Sequence, residues 1–322
     1  MQSSYTEQKA LARLKDVADG AFIGFASFED RCLRSYDILK KCNFPQKSIL
    51  CFEEFLCNTQ ENRTKLLADG GDEVILQSGN PIFSLDVLLG MFTHYSRLNI
   101  KNIIIDITCF NREILLMFLQ VINKNINLFD NINFIYNSAK DMNKDFLSSG
   151  ILDVHSVLGY GGIISPLKRD HLIVILGFET ERARKIMDIY EPDRITIAIG
   201  KESRSINKKL HGKNKETLAQ IQEDIAMGRL PNAPIEVVEI AIDDAIEAQQ
   251  DLCKIVEQYP EHNNIIAPLN TKLSTVGAGF CAMKNPRVQI CYSQMASYNF
   301  LDYSTPSNKF YIFDVKEHLQ AL

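Results

Sequence analysis

Short apolar runs alternate with longer segments of mixed polarity along almost the whole chain. Short runs rich in β-branched residues are typical of buried strands, and the segments between them have the character of helices. Strands that alternate with helices predict an α/β fold, with parallel sheets covered by helices on both faces. The predicted strands cover residues 21–26, 48–52, 72–77, 103–107, 132–136, 171–176, 194–199, 235–240, 263–267, 288–292 and 310–315.

The alternation is interrupted between positions 140 and 170, where glycine, serine and charged residues are frequent. We therefore expect two Rossmann-like modules, one in residues 1–164 and the other in residues 165–322. The interrupted segment contains a glycine-rich stretch at 159–162. This stretch fits a hinge loop and also a phosphate-binding nest, and the sequence leaves both interpretations open.

The two halves repeat the same motifs in the same order. Residues 22–31 read FIGFASFEDR and residues 172–182 read LIVILGFETER, so each is a strand followed by Phe-Glu, an acidic residue and Arg. Three matches in one order favour an internal duplication that produces two modules related by a pseudo-two-fold axis. The other two matches pair NIIIDITCFNR (102–112) with NIIAPLNTK (264–272), and FIYNS (134–138) with ICYSQ (290–294).

Polar residues follow these strands at the positions where a Rossmann-like sheet binds its ligands. In an open α/β sheet, the ligand lies outside the carboxyl ends of the strands. Arg112 and Lys272 each stand near a predicted helix start, where a cation, backbone N–H groups and the helix dipole together suit a phosphate. The candidate ligand-binding residues are Glu29, Arg31, Asp106, Thr108, Asn111, Arg112, Glu179, Glu181, Arg182, Asn270, Thr271 and Lys272.

Each of these groups also has a purely structural interpretation. Asp106 or Thr108 would fit the cap of the next helix. In the Phe-Glu motifs, the carboxylate would fit a cap that is paired with the following Arg. If the turns of both modules line one shared crevice, we expect Glu29 and Glu181 at its rim. The residues inside it would be Asp106, Asn111, Arg112, Asn270, Thr271 and Lys272.

Composition and charge narrow the classes of function. The 322 residues carry a net charge of −5, and 46% of them are apolar and 23% charged, as in a folded globular protein. Such a chain has no global basic field, so contact with nucleic acid would depend on a local patch. Residues 201–215, which contain several Lys and Arg, are the candidate patch, and we expect 201–214 to be a solvent-exposed connection.

The eight cysteines form no Cys-x-x-Cys pair, and the six histidines show no metal-binding spacing. We therefore expect buried reduced thiols, no protein-held metal and no cofactor. Apolar runs stay short of a membrane span and the N-terminus is polar, so we expect a cytosolic protein without membrane contact. A dinucleotide dehydrogenase is disfavoured, because no strand is followed by Gly-x-Gly-x-x-Gly.

The motifs after the first and fourth strands of each half resemble those of the CARF family, the CRISPR-associated Rossmann fold domains that sense cyclic oligonucleotides. In that family one ligand motif follows the first strand, and a Gly-Thr-Lys-like motif follows the fourth. Residues 27–31 and 177–182 are similar to the first motif, and residues 108–112 and 270–272 to the second. The chain departs from the family in two ways, with Asn270 in place of glycine and Asn-Arg in place of Thr-Lys in the first half.

The resemblance implies a nucleotide-sensing or regulatory subunit of a prokaryotic antiviral defence system. Its ligand would be an anionic nucleotide or oligonucleotide. The family brings its two copies from two chains, whereas this chain holds both, and we recognise no nuclease or protease module in it. A partner protein would then carry the effector activity.

Two other functions stay open at this point. One is a hydrolase acting on a nucleotide, either a glycosidase or a phosphodiesterase, with Glu29 or Glu181 as the acid–base carboxylate. The other is a non-catalytic interaction subunit that uses residues 201–215 to contact an acidic partner or nucleic acid. Acid–base catalysis needs a positioned partner that spacing does not reveal, which favours a binding module over an enzyme.

Overall fold

The computed structural model describes residues 4–17, 19–42, 44–143, 146–301 and 303–322. Within these ranges the chain forms two compact units. The first unit contains residues up to 142 together with residues 300–322, and the second unit contains residues 143–299. The polypeptide therefore enters the second unit after Met142 and leaves it after Asn299.

The described residues form strands and helices in regular alternation. The strands are β1 (Ser4–Tyr5), β2 (Ala21–Phe25), β3 (Gln46–Phe52), β4 (Asp72–Leu76), β5 (Asn102–Asp106), β6 (Asn131–Met142), β7 (Ser148–Ser156), β8 (Arg169–Ile175), β9 (Arg194–Gly200), β10 (Ile235–Ile240), β11 (His262–Pro268), β12 (Val288–Tyr298) and β13 (Ser304–Asp314). The α-helices are α1 (Glu7–Leu14), α2 (Arg31–Leu39), α3 (Gln60–Leu67), α4 (Pro81–Arg97), α5 (Arg112–Asn125), α6 (Thr180–Tyr190), α7 (Lys208–Ala226), α8 (Ala245–Gln258), α9 (Lys272–Lys284) and α10 (Val315–Gln320).

The first unit is built on a seven-stranded sheet in the order β1-β13-β6-β5-β2-β3-β4. The five strands from β2 to β6 are parallel, and numbered along the chain they stand in the order 3-2-1-4-5. That is the strand order of the Rossmann fold. Antiparallel β13 extends the sheet beyond β6, and the two-residue β1 pairs with β13.

The second unit repeats this architecture with six strands, in the order β10-β9-β8-β11-β12-β7. Its five parallel strands, β8 to β12, again stand in the order 3-2-1-4-5, and antiparallel β7 lies beside the fifth. The predicted α/β class with two Rossmann-like modules is therefore confirmed. The shared strand order is also what an internal duplication would produce.

The cores form because alternate residues of each strand point to opposite faces of its sheet. In the first unit, Phe22 of β2 and Leu39 of α2 belong to one buried cluster. Phe92 of α4 and Phe118 of α5 are also fully buried, with ring centroids 5.3 Å apart. In the second unit, Leu172 of β8 packs with α6 and α7. Each such side chain stabilises the fold by about 1.5–3 kcal/mol through its burial.

The two halves of the sequence exchange the strand that follows the fifth parallel strand. β7 follows β6 in the chain, yet it pairs with β12, beginning with Ser148 opposite Tyr298. β13 follows β12, yet it pairs with β6, beginning with Ser304 opposite Met142. Each sheet is therefore extended at the same position by a strand from the other half.

This exchange explains why the division of the chain differs from the one predicted at 164/165. Residues 143–164 belong to the second unit, because β7 pairs with β12. The glycine-rich stretch 159–162 follows β7 and continues beside β12, because Ile290 N of β12 donates to Tyr160 O at 2.9 Å. It belongs to the second unit and is not a hinge between the units. The sequence did not predict β7, because most of its side chains are exposed or half-buried and it therefore lacks an apolar run.

The expectation that residues 201–214 form a solvent-exposed connection is wrong. After a short 3-10 turn at Glu202–Arg204, the segment enters α7. Leu210, Asn214, Thr217 and Ile221 are buried and recur at the spacing of one helix face. Four lysines within the first eight residues of α7 (Lys208, Lys209, Lys213 and Lys215) concealed the helical period in the sequence.

Deletion of residues 300–322 tests the strand exchange. We expect the first unit to lose its folded structure, because β13 carries Phe310 and Ile312 of its core, each worth about 2 kcal/mol by burial. Hydrogen exchange should then rise in β6 and stay slow in β12. Deletion of the exposed residues 321–322 alone is the matched control and should change neither strand. Loss of protection in β12 instead of β6 would contradict the observed pairing.

Candidate ligand-binding site

In both sheets the strand order reverses between the first and fourth parallel strands, so that β2 lies beside β5 and β8 lies beside β11. At such a point the connections from neighbouring strands leave toward opposite sides, which opens a crevice outside the carboxyl ends. All the predicted ligand-binding residues lie at these four strand ends. They fall within 27–31 and 106–112 in the first unit, and within 177–182 and 269–272 in the second.

The turn after β2 is held by a buried ion pair. Arg31 donates to Glu29 Oε2 from Nη2 at 2.8 Å and from Nε at 3.1 Å. The two side chains are 6% and 9% exposed. Ser304, the first residue of β13, donates to the same carboxylate and accepts from Arg31 Nε at 2.8 Å. The carboxylate therefore pairs with the Arg, as the structural interpretation expected, but it does not cap α2.

The turn after β8 repeats this arrangement in the second unit. Arg182 Nε lies 3.5 Å from Glu179 Oε2, and the two side chains are 3% and 10% exposed. Ser148, the first residue of β7, donates to Glu179 Oε1. In both units a serine at the start of the exchanged strand thus contacts the glutamate of the Phe-Glu motif.

Gly177 shows how close the two turns of the second unit lie. A Cβ placed on it would stand 2.0 Å from Leu269 O, so the turn after β8 is in direct backbone contact with the turn after β11. Asn270 reinforces this contact, because its side-chain amide donates to Leu176 O. A side chain larger than glycine's at 177 would force the two strand ends apart.

Asp106 ends β5 with its carboxyl group enclosed in the following turn. Its Oδ1 accepts from the Thr108 backbone N at 3.0 Å and from the Thr108 hydroxyl. The Thr108 hydroxyl oxygen accepts in turn from Asn137 N of β6 at 2.8 Å. Burial raises the pKa of Asp106 to about 6, against the opposite effects of hydrogen bonds from Thr108 and Ser35 and of the Arg31 charge. Neither Asp106 nor Thr108 caps α5.

The helices that follow the fourth strands both begin with a capping residue and a cation. Asn111 Oδ1 accepts from the third backbone N–H of α5 at 2.6 Å, and Thr271 Oγ1 accepts from the third N–H of α9 at 3.1 Å. The first helical residues, Arg112 and Lys272, are half-buried. The remaining N–H groups of a helix's first turn have no partner within the helix, and the helix dipole favours an anion beside them.

Two buried asparagines that sequence reasoning missed hold the first turn of each unit. Asn62 of α3 donates to Ser27 O at 3.0 Å, and Asn214 of α7 donates to Gly177 O at 2.9 Å. Each lies on the helix after the second parallel strand, so the two are structurally equivalent. Asn62 lies on a mostly polar helix and Asn214 among charged residues, so no local pattern in the sequence indicates either one.

Two predicted positions differ from their expected places. Glu181 is exposed on the first turn of α6, and Glu179 is the residue that pairs with Arg182. Glu29 does not stand at an open rim, because it is enclosed with Arg31. The grouping of residues from both halves in one crevice stays a prediction.

Within the described ranges, no cluster of three or more His, Cys, Asp or Glu is placed to hold a metal ion. The helices of the same ranges lack the combination of length and apolarity needed to cross a membrane. The cysteines are free thiols. The donors gathered at the strand ends are backbone amides and cations, which are groups that bind anions.

Comparison with known proteins gives little further information. No protein-family model matches the chain, and no curated protein is similar to it. A solved structure described as an A1-type ketoreductase is similar over 82% of this chain and 75% of its own, with 10% sequence identity and a TM-score of 0.23. A likeness of this size carries no argument about function.

Replacement of Arg31 by Met tests the buried ion pair. The variant leaves Glu29 buried without its counter-charge, so we expect a loss of about 3–5 kcal/mol in the unfolding free energy of the first unit, measured by urea denaturation. Arg34→Met on the same helix is the matched control. Arg34 pairs with a half-exposed Glu7, and its loss should cost less than about 1 kcal/mol. Equal costs for both variants would show that the Arg31 pair has no special role.

Replacement of Asp106 by Asn tests its raised pKa. The folded state favours the protonated carboxyl, so this group's stabilising contribution is complete below the unfolded pKa and is lost as pH rises through about 6. We expect Asp106→Asn to gain about 2–3 kcal/mol in unfolding free energy relative to wild type between pH 4 and 7. The control is Asp86→Asn, on the exposed side of α4. If the unfolding free energies of both variants change with pH in parallel with that of wild type, Asp106 is ionised throughout this range.

Proposed function

We propose that the chain is a nucleotide-sensing or regulatory subunit, and that its Rossmann-like units bind an anionic nucleotide or oligonucleotide at their switch points. One observation carries the proposal. In both units a capped helix with a cation at its first position starts directly after the fourth strand, where the strand order reverses. This is the place where open α/β sheets bind ligands.

The chemistry of these helix starts fits a phosphate. Arg112 and Lys272 supply positive charge, and the first-turn amides of α5 and α9 supply N–H donors aligned with the helix dipole. Asn111 and Thr271 fix the orientation of those amides through their caps. A phosphodiester or phosphate group would therefore find charge and directional donors without rearrangement of the backbone.

Binding is favoured over catalysis by the state of the carboxylates. A hydrolase would need Glu29 or Glu181 as an acid–base group close to its substrate. Glu29 is engaged by Arg31 and Ser304 in a buried pair, and Glu181 is exposed, away from the enclosed cluster. Among the described residues, Glu29 is already neutralised by Arg31 and Glu181 lies outside the enclosed cluster, so a sensor explains the arrangement at the strand ends better than an enzyme does.

The partner and the biological setting follow from the CARF-like motifs. Under this proposal a separate protein delivers the output, and the system is one of prokaryotic antiviral defence. Part of the basic segment 201–215 is neutralised within the second unit, because Lys201 pairs with Asp251 at 2.7 Å and Arg204 with Glu247 at 2.7 Å. Contact with a partner or nucleic acid would then fall to the exposed Lys208 and Lys215 of α7.

Replacement of Lys272 by Ala tests the proposed site. We expect the affinity for a cyclic oligonucleotide, measured by calorimetry, to fall by about 1.5–3 kcal/mol, the scale of one charge-assisted hydrogen bond. The matched control is Lys284→Ala, which removes the same charge from the opposite end of α9. Arg112→Ala and Lys124→Ala form the equivalent pair on α5. Each control should bind like wild type.

Three results would contradict the proposal. Equal losses at both ends of a helix would show a general effect of net charge instead of a site. If neither linear nor cyclic nucleotides bind to wild type, the proposal of a nucleotide ligand is wrong. The same holds if inorganic phosphate binds and nucleotides do not. Turnover of the bound nucleotide, followed by chromatography of the same samples, would instead show an enzyme.

A further inference from the structure

A cavity of about 420 Å³ opens in the first unit at the end of the sheet opposite to the switch point. It lies beside the first residues of β3 and β4, and Lys40, Gln46 and Asp72 give it a polar lining. Its volume is within the range of small-molecule sites. No candidate ligand-binding residue of the sequence analysis lies here, so the cavity is independent of the proposed function.

Lys47 is the unusual residue of this cavity. Its side chain is buried, and its Nζ lies 4.7 Å from the ring centroid of Tyr36. Its hydrogen bond goes to Tyr36 Oη at 3.1 Å, and among the described residues no carboxylate lies within 4 Å of it. Burial lowers the pKa of Lys47, and the more distant Asp69 opposes this shift. A lowered pKa increases the neutral fraction of the ε-amine, which is the form that acts as a nucleophile.

A proton relay leads away from this amine. Lys47 Nζ donates to Tyr36 Oη, and Tyr36 Oη donates to Asp69 Oδ2 at 2.6 Å. Two consecutive hydrogen bonds thus connect the buried amine to the carboxylate of an exposed residue. Such a relay can take up the proton that the amine loses on attack and can return it to a leaving group.

Gly71 shows that the loop is shaped around the lysine. Its backbone has a φ of +122°, a left-handed conformation that favours glycine. A Cβ at this position would stand 2.6 Å from Lys47 Cε. The loop before β4 therefore closes directly over the stem of Lys47 and holds the amine at the cavity wall.

We propose that Lys47 is a nucleophilic lysine that forms an imine with a small polar aldehyde in this cavity. The amine nitrogen adds to the carbonyl carbon, and the carbinolamine that forms keeps all atoms of both reactants. The carbon–oxygen bond then breaks, and the oxygen leaves as water with two protons that came from the amine. Tyr36 and Asp69 carry these protons, so no oxidant or further reactant is needed.

The test is trapping of the imine with glyceraldehyde and sodium cyanoborohydride, which reduces the imine to a stable secondary amine. Peptide mass spectrometry then gives the labelling rate of each lysine in the folded protein. We expect Lys47 to react at least tenfold faster than Lys40, an exposed lysine that lines the same cavity. Equal or slower labelling of Lys47 would overturn the proposal.

Two variants test the relay. Tyr36→Phe keeps the ring and removes Oη, and Asp69→Asn removes the carboxylate at the exposed end of the relay. Each should slow the labelling of Lys47 by about tenfold or more, the scale of lost acid–base assistance, and leave Lys40 unchanged. If both variants label Lys47 at the wild-type rate, the hydrogen bonds are only structural and the assigned relay is wrong. Thermal unfolding of each variant separates a loss of reactivity from a loss of fold.

Discussion

A buried carboxylate–guanidinium pair fixes the turn after the first parallel strand of each unit, and its stability depends on complete hydrogen bonding. Removal of two charges from water costs several kcal/mol per ion, and mutual attraction offsets this cost only when the remaining donors and acceptors also find partners. Glu29 and Arg31 meet this condition through Ser304, and Arg31 further donates to Asn137 O at 3.3 Å. Glu179 has the corresponding contact from Ser148.

Both of these serines come from exchanged strands, which links the local pair to the topology of the whole chain. β13 reaches the first unit only after the chain has completed β12, so the Glu29 pair is completed by a strand from the end of the sequence. The residues before β13 take part as well, because the Phe28 ring lies 5.0 Å from that of Phe300 and 5.5 Å from that of Tyr303. The Phe-Glu motif thus packs on the segment by which the chain re-enters the first unit.

The sequence predicted the parallel strands and the turns that follow them, because both depend on local signals. An apolar run with polar residues at its end marks a buried strand and its turn, as in residues 102–112. Features that depend on distant pairing were not predictable in this way. β7 has too few buried residues to show an alternating pattern, so the boundary was placed after it.

The remaining errors also have physical causes. Lys208, Lys209 and Lys215 of α7 are exposed beside buried Leu210 and Asn214, so charge concealed the helical period. Glu181 was expected at the rim of the crevice, yet Glu179 is the carboxylate that turns inward. Both precede Arg182, and only the tertiary fold decides which of them pairs with it. Asn62 and Asn214 act through carbonyl groups that are far away in sequence, and one sequence contains no record of such pairing.

The most direct test of this account is a set of double-mutant cycles between the glutamates and the serines, with unfolding free energies measured in urea. We expect coupling of about 1 kcal/mol for Glu29→Gln with Ser304→Ala, and the same for Glu179→Gln with Ser148→Ala. The crossed pairs, Glu29 with Ser148 and Glu179 with Ser304, should be additive within about 0.5 kcal/mol. Coupling in the crossed pairs and additivity in the direct ones would show that each strand stays with its own half, and would contradict the exchange on which both sites depend.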